Sequence, residues 1–369
     1  MFTSTSFLYK ATPNRLLTGA ERTVAFRTDD IWARNAKQGG KVTELSKESM
    51  TVQYADGSLE SFPVGRYFGT WSGTIVPHEI STQLKVGDIF DKDDIICYNA
   101  HYFQPDTINP KHVIFKRGIR GNMLLWEAVD TLEDADSISK DFSKRLVTGT
   151  TEKRRVKVPA DHDFEFLCEE GKHVDPETIL CTLRPPMSGM SSHYNQDALD
   201  ALDALNTLTP KAKYEGVIER IEVMYTGQLD DMSPSLQEIV TKYDSKLYRL
   251  NKKLGIPVLA AKIDPNYSIE NVDVGENQVV VTFYITEEVG AGIGDKLVFG
   301  NQMKSIISNV VEKPYIAEDG TVVDITFSRQ SVANRIVNSM DLIGTSNTVL
   351  ALIEKEAIEL YLNKSTEAG

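Results

Sequence analysis

The sequence predicts a mainly β protein with a few helices, of the α+β class. Short strand-like segments separated by turns dominate the first hundred residues, and residues 49–54 and 59–64 flank an Asp56-Gly57 hairpin turn. Mostly apolar segments rich in β-branched and aromatic residues, such as residues 278–284, are typical of buried strands. Helical periodicity is confined to a few segments, so helices are expected to be the minor component.

Composition limits the possible functions. A chain of 369 residues can form two or three compact units, and its net charge of −13 argues against a free-standing nucleic-acid binder. A local basic stripe, residues 140–157, is either one part of a larger basic channel or a solvated surface. The three cysteines have no CxxC spacing, and no signal peptide or membrane segment is recognisable. We therefore expect a soluble, intracellular protein that does not bind a membrane.

The remaining elements follow in chain order. Residues 75–100 and 121–128 are expected to form strands, and residues 134–146 a short helix. Residues 150–270 differ in texture and are interpreted as an insertion domain. It contains a helix over residues 196–205 and another that begins at Ser233 as N-cap, with Pro234 at its first position, and ends before Gly255.

After the insertion the pattern returns to strands, at residues 278–284 and 321–327. The chain then ends in a predicted helix over residues 348–363. Five apolar positions of this helix are expected to face inward: Leu350, Ile353, Ala357, Ile358 and Tyr361.

Two lysines are the main candidates for function. Lys296 and Lys304 lie eight residues apart around a Gly-Asn turn, after a strand-like segment. Lysines at the two ends of such a loop can hold neighbouring phosphates as point charges. The alternative is a surface turn with solvated lysines. Arg335, near a helix start, can bind phosphate oxygens with its fork or form an ordinary surface ion pair.

An acidic cluster, Glu133, Asp134 and Asp136, directly follows the strand-like residues 121–128. Carboxylates at a strand end can supply one or two oxygens to Mg²⁺, while a substrate supplies others. The alternative is a polar turn or an acidic cap at a helix N-terminus. No phosphate-binding glycine loop, serine-hydrolase elbow or HExxH zinc motif occurs in the sequence.

The order of several segments resembles the β subunit of multisubunit, bacterial-type RNA polymerase. Residues 294–304, Gly-Asp-Lys-Leu-Val-Phe-Gly-Asn-Gln-Met-Lys, are similar to that family's Gly-Asp-Lys-Met-Ala-Gly-Arg-His-Gly-Asn-Lys, with the same lysine spacing. Four other stretches match in collinear order: residues 14–20, residues 86–96, residues 121–127 with 133–135, and residues 319–325 with 332–336.

The resemblance implies a double-psi β-barrel interrupted by a flap-like insertion domain and followed by a C-terminal helix. The expected segments are an N-terminal β-rich part at 1–74, the first half-barrel at 75–149, the flap-like insertion at 150–270, the second half-barrel with the lysine loop at 271–330, and a C-terminal helical part at 331–369.

The resemblance also implies roles for single residues. Lys296 and Lys304 would contact the RNA 3′ end and the incoming nucleotide, and Arg335 would contact triphosphate oxygens. Glu133 and Asp134 would lie near a second Mg²⁺ carried by the nucleotide. Arg22 would be a further phosphate contact, although the alignment there needs a gap.

The implied function is nucleotidyl transfer by a DNA-directed RNA polymerase. The principal Mg²⁺ ligands, an Asp-x-Asp-x-Asp motif, would lie on a β′-like partner, so this chain would be inactive alone. The other implied partners are an N-terminal β piece, a promoter-specificity factor, the DNA template, the RNA transcript and nucleoside triphosphates.

The sequence also departs from the family pattern in several respects. The glycines beside the second lysine are replaced by Met303 and Ser305, and the clamp-forming tail and front half of the family are missing. These features resemble the split polymerases of giant bacteriophages, which would place the protein in the host-cell cytoplasm or the virion. Two alternatives stay open: a non-catalytic assembly or nucleic-acid-binding module with the same barrel, and a free-standing metal-dependent enzyme using the acidic cluster.

Overall fold

The structure is a computed structural model of the full chain. It describes residues 6–7, 23–30, 32–71, 74–106, 109, 111–116, 118–119, 121–186, 205–255, 261–264, 268–269, 272–299, 303–334 and 338–367. In agreement with the sequence, the described part is mostly β with a few helices.

The elements are numbered in chain order. The strands are β1 (Ser6–Phe7), β2 (Ala33–Asn35), β3 (Gly40–Leu45), β4 (Ser49–Tyr54), β5 (Leu59–Pro63), β6 (Gly65–Trp71), β7 (Thr74–Ser81), β8 (Ile89–Phe90), β9 (Ile95–Asn99), β10 (Phe103–Pro105), β11 (Val113–Phe115), β12 (Met123–Leu125), β13 (Ala135–Ser139), β14 (Val147–Pro159), β15 (Asp163–Leu167), β16 (His173–Val174), β17 (Cys181–Arg184), β18 (Gly216–Tyr225), β19 (Ser268–Ile269), β20 (Val272–Asp273), β21 (Gln278–Gly290), β22 (Lys296–Phe299), β23 (Met303–Val311) and β24 (Ile325–Phe327). The helices are α1 (Lys140–Ser143), α2 (Pro234–Leu254), α3 (Arg329–Asn334) and α4 (Asn338–Glu367), with 3-10 turns at Val24–Phe26, Val129–Thr131 and Leu229–Asp231.

The chain divides into two compact units, each assembled from separate stretches of sequence. Unit 1 comprises residues 1–37, 92–148 and 288–369, and unit 2 comprises residues 38–91 and 149–287. The five-segment division expected from the sequence stays a prediction.

Unit 1 is built on a six-stranded mixed sheet in the order β1-β22-β23-β13-β24-β12. Strand β13 lies at its centre, parallel to β23 on one side and antiparallel to β24 on the other. Strands from before residue 150 and from after residue 270 therefore lie side by side in one sheet. This arrangement brings sequence segments about 170 residues apart into direct contact.

A cluster of buried apolar residues supports this sheet. Its buried members are Ile138, Phe142, Leu146, Ala291, Leu297, Met303, Ile307, Ile325, Phe327 and Val332. Eight of them come from β13, α1, β22, β23, β24 and α3, and Leu146 and Ala291 lie in the connections that follow α1 and β21. The same core therefore supports the elements that carry the candidate site.

Unit 2 contains the four-stranded sheets β14-β21-β18-β16 and β5-β4-β3-β8. Strands β4 and β5 form the hairpin predicted around Asp56-Gly57, and Gly57 adopts a positive φ of 84° there. Hydrogen bonds from the Ser58 hydroxyl and backbone N–H lower the pKa of Asp56 to about 2. The turn residues thus fix this hairpin as the sequence indicated.

Helix α2 confirms its predicted ends. The Ser233 hydroxyl accepts a hydrogen bond from the Leu236 N–H at 3.3 Å, Pro234 opens the helix, and Gly255 closes it with a φ of 65°. Leu236 and Val240 are completely buried in the core of unit 2. None of the helices in the described part of the chain has the length and apolarity needed to cross a membrane.

Two expectations about helices were wrong. Residues 134–146 form strand β13 followed by the single turn α1, because β13 is held in the sheet by β23 and β24. Helix α4 does not face inward, since Leu350, Ile353 and Ile358 remain 38%, 55% and 44% exposed. The helix predicted over residues 196–205 lies almost entirely outside the described residues.

Candidate functional site

The two candidate lysines lie on a β-hairpin, in strands rather than in the loop that the sequence suggested. Strands β22 and β23 are antiparallel, with Lys296 opposite Ile306 and Val298 opposite Lys304. Residues opposite each other point to the same face, as do residues two apart along a strand. Lys296 and Lys304 therefore share one face as diagonal neighbours, a relation that separates such residues by about 7–8 Å.

The opposite face of the hairpin explains why the lysines point outward. Leu297, Met303 and Ser305 are 0%, 0% and 2% exposed, whereas both lysines are exposed. Because side chains alternate along a strand, burying one set forces the other into solvent. Neither ammonium group forms an ion pair with another residue in the described part of the chain. Both are thus available to a ligand anion.

A tight turn leads into the hairpin. The Asp295 carboxylate accepts a hydrogen bond from the Gly292 N–H at 2.8 Å, and the Gly294 N–H donates to the Ile307 carbonyl at 2.8 Å. Gly294 has a φ of 94°, which a residue with a Cβ adopts only with strain. The Gly-Asp pair before Lys296 therefore sets where β22 begins.

The acidic pair Glu133-Asp134 lies against the strand that carries Lys304. The Asp134 carbonyl accepts hydrogen bonds from the Ile306 N–H at 2.9 Å and the Ser305 hydroxyl at 3.0 Å. Both acidic side chains are exposed, and Glu133 has a positive φ of 51°. The structure therefore brings Glu133, Asp134 and the Lys304 strand together, although about 170 residues separate them in sequence.

Helix α3 is fixed to the same region. The Ser331 hydroxyl donates to the Glu133 carbonyl, and the Glu127 carboxylate accepts from the Gln330 N–H at 2.8 Å. Arg335 follows α3 directly but lies outside the described residues, as does Arg22. The structure thus places the start of α3 beside the acidic pair and leaves both arginines as predictions.

The burial of Asp136 was not predicted from the sequence. This residue was included in the acidic cluster, yet its side chain is 0% exposed and neither carboxylate oxygen has a hydrogen-bond partner among the described residues. Burial raises its pKa to about 7. The neighbouring Ser305 hydroxyl does not satisfy the carboxylate, because it donates to the Asp134 carbonyl. Reading residues 134–146 as a strand would have pointed Asp136 inward.

Two of the segments that resemble the polymerase family, residues 121–127 and 319–325, also meet in space. The Asp324 carboxylate accepts the Asn122 N–H at 2.8 Å and lies 3.5 Å from the Arg145 guanidinium. The Asn122 side-chain amide donates to the Val322 carbonyl at 2.8 Å. This network connects the residues directly before β12 and β24 with Arg145, two residues after α1, across some 200 residues of sequence.

The acidic residues of the site can provide only some of the ligands that a metal ion needs. Among the described residues, no three His, Cys, Asp or Glu side chains are grouped so that they could hold a metal ion. Glu133 and Asp134 could supply one or two oxygens to Mg²⁺, with its other ligands coming from a nucleotide or another chain. A complete magnesium site therefore needs more than these residues.

Comparison with known proteins finds similarity to the same kind of protein in several bacteria. The chain is 26% identical over 314 residues to the DNA-directed RNA polymerase subunit beta of Streptococcus sanguinis (strain SK36) and of Streptococcus pyogenes serotype M1. It is 26% identical over 312 residues to that of Streptococcus pneumoniae serotype 19F (strain G54). These matches cover 82% of this chain.

The chain is distantly β-subunit-like. It spans only 24% of the length of these relatives, and no protein-family model matches it.

Proposed function

We propose that this chain is a β-subunit fragment of a multisubunit DNA-directed RNA polymerase and contributes phosphate contacts to its nucleotidyl-transfer site. The observation that carries the proposal is the hairpin β22–β23. It presents Lys296 and Lys304 on one exposed face, beside the acidic pair Glu133-Asp134, in a chain similar to β subunits over 82% of its length.

The hairpin suits the handling of a polyanion. Two ammonium groups on one face, without ion-pair partners among the described residues, can each neutralise a phosphate. Positive groups fixed where charge develops on a transferring phosphate lower the barrier to transfer. In this proposal the lysines bind the RNA 3′ end and the incoming nucleotide, and Arg335 and Arg22 add phosphate contacts by their motif positions.

The proposal assigns Mg²⁺ mainly to a partner. Bound Mg²⁺ would supply the Lewis-acid and charge-neutralising chemistry of two-metal phosphoryl transfer. On this chain, Glu133 and Asp134 are exposed and held by the Ile306 N–H and by the Ser331 and Ser305 hydroxyls. Their part would be to orient the nucleotide-borne ion through one or two carboxylate oxygens.

The proposed architecture is a double-psi β-barrel interrupted by a flap-like insertion at residues 150–270. Its support is the sheet of unit 1, which combines strands from both sides of that insertion. The five-segment division is part of the same proposal. The remaining partners would be a β′-like subunit, an N-terminal β piece, a promoter-specificity factor, the DNA template and the RNA transcript. The polymerase would be that of a giant bacteriophage and would lie in the host-cell cytoplasm or in the virion.

The direct test is reconstitution. The full chain is co-expressed with the polypeptide of the same genome that carries the Asp-x-Asp-x-Asp motif, and extension of an RNA primer on a DNA template is measured with Mg²⁺ and nucleoside triphosphates. We expect extension by the complex and none by either chain alone. Extension by this chain alone would favour a free-standing enzyme and contradict the proposal.

A non-catalytic assembly or nucleic-acid-binding module is the second candidate. It is favoured by the net charge of −13 and by Met303 and Ser305 in place of glycines. In that case the complex would assemble, and replacing either lysine by alanine would leave RNA extension unchanged.

A further inference from the structure

An open groove runs between helix α2 and the turn that joins strands β3 and β4. It lies within unit 2 and has a volume of about 960 Å³. Sites for small ligands in proteins are typically clefts of about 300–1,000 Å³. The groove is therefore large enough for a small molecule, and it belongs to a different unit from the lysine hairpin.

The groove is rich in cationic side chains. Its lining includes four cations of α2 and two carboxylates: Lys242, Lys246, Arg249, Lys253, Glu48 and Glu238. Helix α2 as a whole carries five lysine or arginine residues and two acidic residues, in a chain whose net charge is −13. A local concentration of positive charge attracts anions to that part of the surface. The groove is therefore a candidate anion site in an otherwise acidic protein.

The four cations share one face of α2. At about 100° and 1.5 Å per residue, their positions fall within about 60° of one another around the helix axis and extend over roughly 16 Å along it. Leu236 and Val240, which are completely buried in the core of unit 2, lie about 120° and 160° from Lys242 around the axis. Because the core holds that side of α2, the cationic face is left to line the groove.

Two of the four cations are already neutralised. The Lys246 ammonium lies 3.1 Å from the Glu48 carboxylate and 2.9 Å from the Glu170 carboxylate. The Lys253 ammonium lies 2.6 Å from the Glu44 carboxylate. Glu44 belongs to β3, and Glu48 lies in the turn that follows it. These ion pairs therefore hold α2 beside the β3–β4 turn and keep the two walls of the groove in place.

The other two cations are available to a ligand. Lys242 and Arg249 are exposed, and neither has an ion-pair partner among the described residues. They lie two helical turns apart, which separates them by about 10 Å along the axis. Ser245 also lines the groove between them, with a hydroxyl that can donate a hydrogen bond. A guanidinium fork and an ammonium at this spacing can bind different phosphates of one ligand.

The opposite wall of the groove is fixed by hydrogen bonds. The Ser46 N–H donates to the Ser49 carbonyl at 2.8 Å, and the Ser46 hydroxyl accepts from the Ser49 N–H at 3.0 Å. The Tyr67 hydroxyl donates to the Glu48 carbonyl at 3.0 Å. Because the turn is ordered before a ligand arrives, binding there does not have to order it.

Glu238 indicates what kind of anion fits. It is exposed, lines the groove one helical turn before Lys242, and has no ion-pair partner in the described part of the chain. A carboxylate at this position repels a continuous phosphate backbone. It can accept a hydrogen bond from a hydroxyl or amino group of a small molecule. The mixed lining therefore suits a short chain of phosphates better than a nucleic-acid strand.

We propose that this groove binds a small molecule that carries a short chain of phosphates, either a nucleoside triphosphate or an inorganic oligophosphate. Lys242 and Arg249 are the principal phosphate contacts, and Ser245 is a hydroxyl donor between them. Lys246 and Lys253 keep their ion pairs and hold the walls of the groove. The site is distinct from the lysine hairpin and does not depend on the proposed function.

The test measures binding of ATP and of inorganic tripolyphosphate to the full chain by isothermal titration calorimetry. A Lys296→Ala, Lys304→Ala background keeps the hairpin from contributing. Lys242→Ala and Arg249→Ala are compared with Lys252→Ala, an exposed lysine of α2 outside the groove lining. We expect each groove variant to weaken the binding of both ligands at least about tenfold, and Lys252→Ala to leave it within about twofold.

The two ligands distinguish the sources of the phosphate chain. If ATP binds more tightly than tripolyphosphate, the groove also recognises the nucleoside, and Glu238→Gln should weaken the binding of ATP alone. If tripolyphosphate binds equally or more tightly, the phosphate chain is sufficient, and Glu238→Gln should strengthen the binding of both ligands by removing a repelling charge. Either result supports the proposed site.

Three results would overturn the proposal. They are no binding of either ligand, an equal loss of affinity in Lys252→Ala and the groove variants, and binding of a single-stranded RNA with a 5′ hydroxyl but of neither small ligand. The last result would mean that the groove follows a nucleic-acid backbone. Failure of the reconstituted complex to make RNA would contradict the proposed function and leave this site intact.

Discussion

Replacing Asp136 by asparagine should remove a pH dependence from the stability of unit 1. Asp136 lies on the central strand β13, is 0% exposed, and neither of its carboxylate oxygens has a partner among the described residues. Burial raises its pKa from 3.8 to about 7. Asparagine keeps the shape of the side chain and cannot ionise, so the variant isolates the cost of the buried charge.

The magnitude follows from the two pKa values. A folded-state pKa above the unfolded value means that the folded protein holds the proton more tightly, so this group lowers stability as pH rises from about 4 to about 7. The slope is about 1.4 kcal/mol per pH unit. Between pH 5 and pH 8 the wild type should lose about 3 kcal/mol relative to Asp136→Asn, almost all of it below pH 7.

The assay is guanidinium-induced unfolding at both pH values, followed by tryptophan fluorescence. Trp32 and Trp126 lie in unit 1 and Trp71 in unit 2, so a Trp71→Phe background makes the signal report on unit 1. Asp141→Asn, at an exposed position on α1, is the control. Its effect on the free energy of unfolding should be the same at pH 5 and at pH 8. An equal stability difference between wild type and Asp136→Asn at pH 5 and pH 8 would refute the reasoning.

Two further predictions concern the stability of unit 2. Ser233→Ala removes the N-cap of α2, where the hydroxyl accepts the Leu236 N–H, and should cost about 1 kcal/mol in a urea unfolding experiment; no loss would mean that the cap is dispensable. Gly216→Ala would place a Cβ 2.5 Å from the Thr286 carbonyl oxygen, whereas a Cβ at Gly171 meets nothing within 4 Å. Both glycines have positive φ, so Gly216→Ala should cost about 2–3 kcal/mol more than Gly171→Ala, and equal unfolding midpoints would contradict the close approach.

Local chemistry made part of the fold predictable. The caps of α2 are set by Ser233, Pro234 and Gly255, and all three behave as their residue types favour. The hairpin at Asp56-Gly57 is equally local. These elements depend on residues that are neighbours in sequence, so one amino-acid sequence is enough to predict them.

The strand β13 could not be found in that way. Its sequence, Ala-Asp-Ser-Ile-Ser, has one large apolar residue and no alternation. It is a strand because β23 and β24, which begin about 170 or more residues later, pair with it on both sides. The burial of Asp136, and the meeting of Asp134 with the Lys304 strand, depend on the same long-range pairing.

The orientation of α4 failed for a different reason. Helical periodicity identifies apolar residues that recur along α4, but it does not determine whether another element covers them. In the described part of the chain, Leu350, Ile353 and Ile358 stay exposed. For the lysines, the spacing was informative, and the hairpin register added that both side chains share one face.

The role of the two lysines is tested most directly by the rate of single-nucleotide addition in the reconstituted complex. Lys296→Ala and Lys304→Ala are compared with Lys313→Ala, an exposed lysine just beyond β23. If each lysine holds a phosphate, its loss should slow addition about 10- to 100-fold while assembly is unchanged, and Lys313→Ala should add nucleotides at the wild-type rate. Wild-type rates in both hairpin variants would contradict the proposed role.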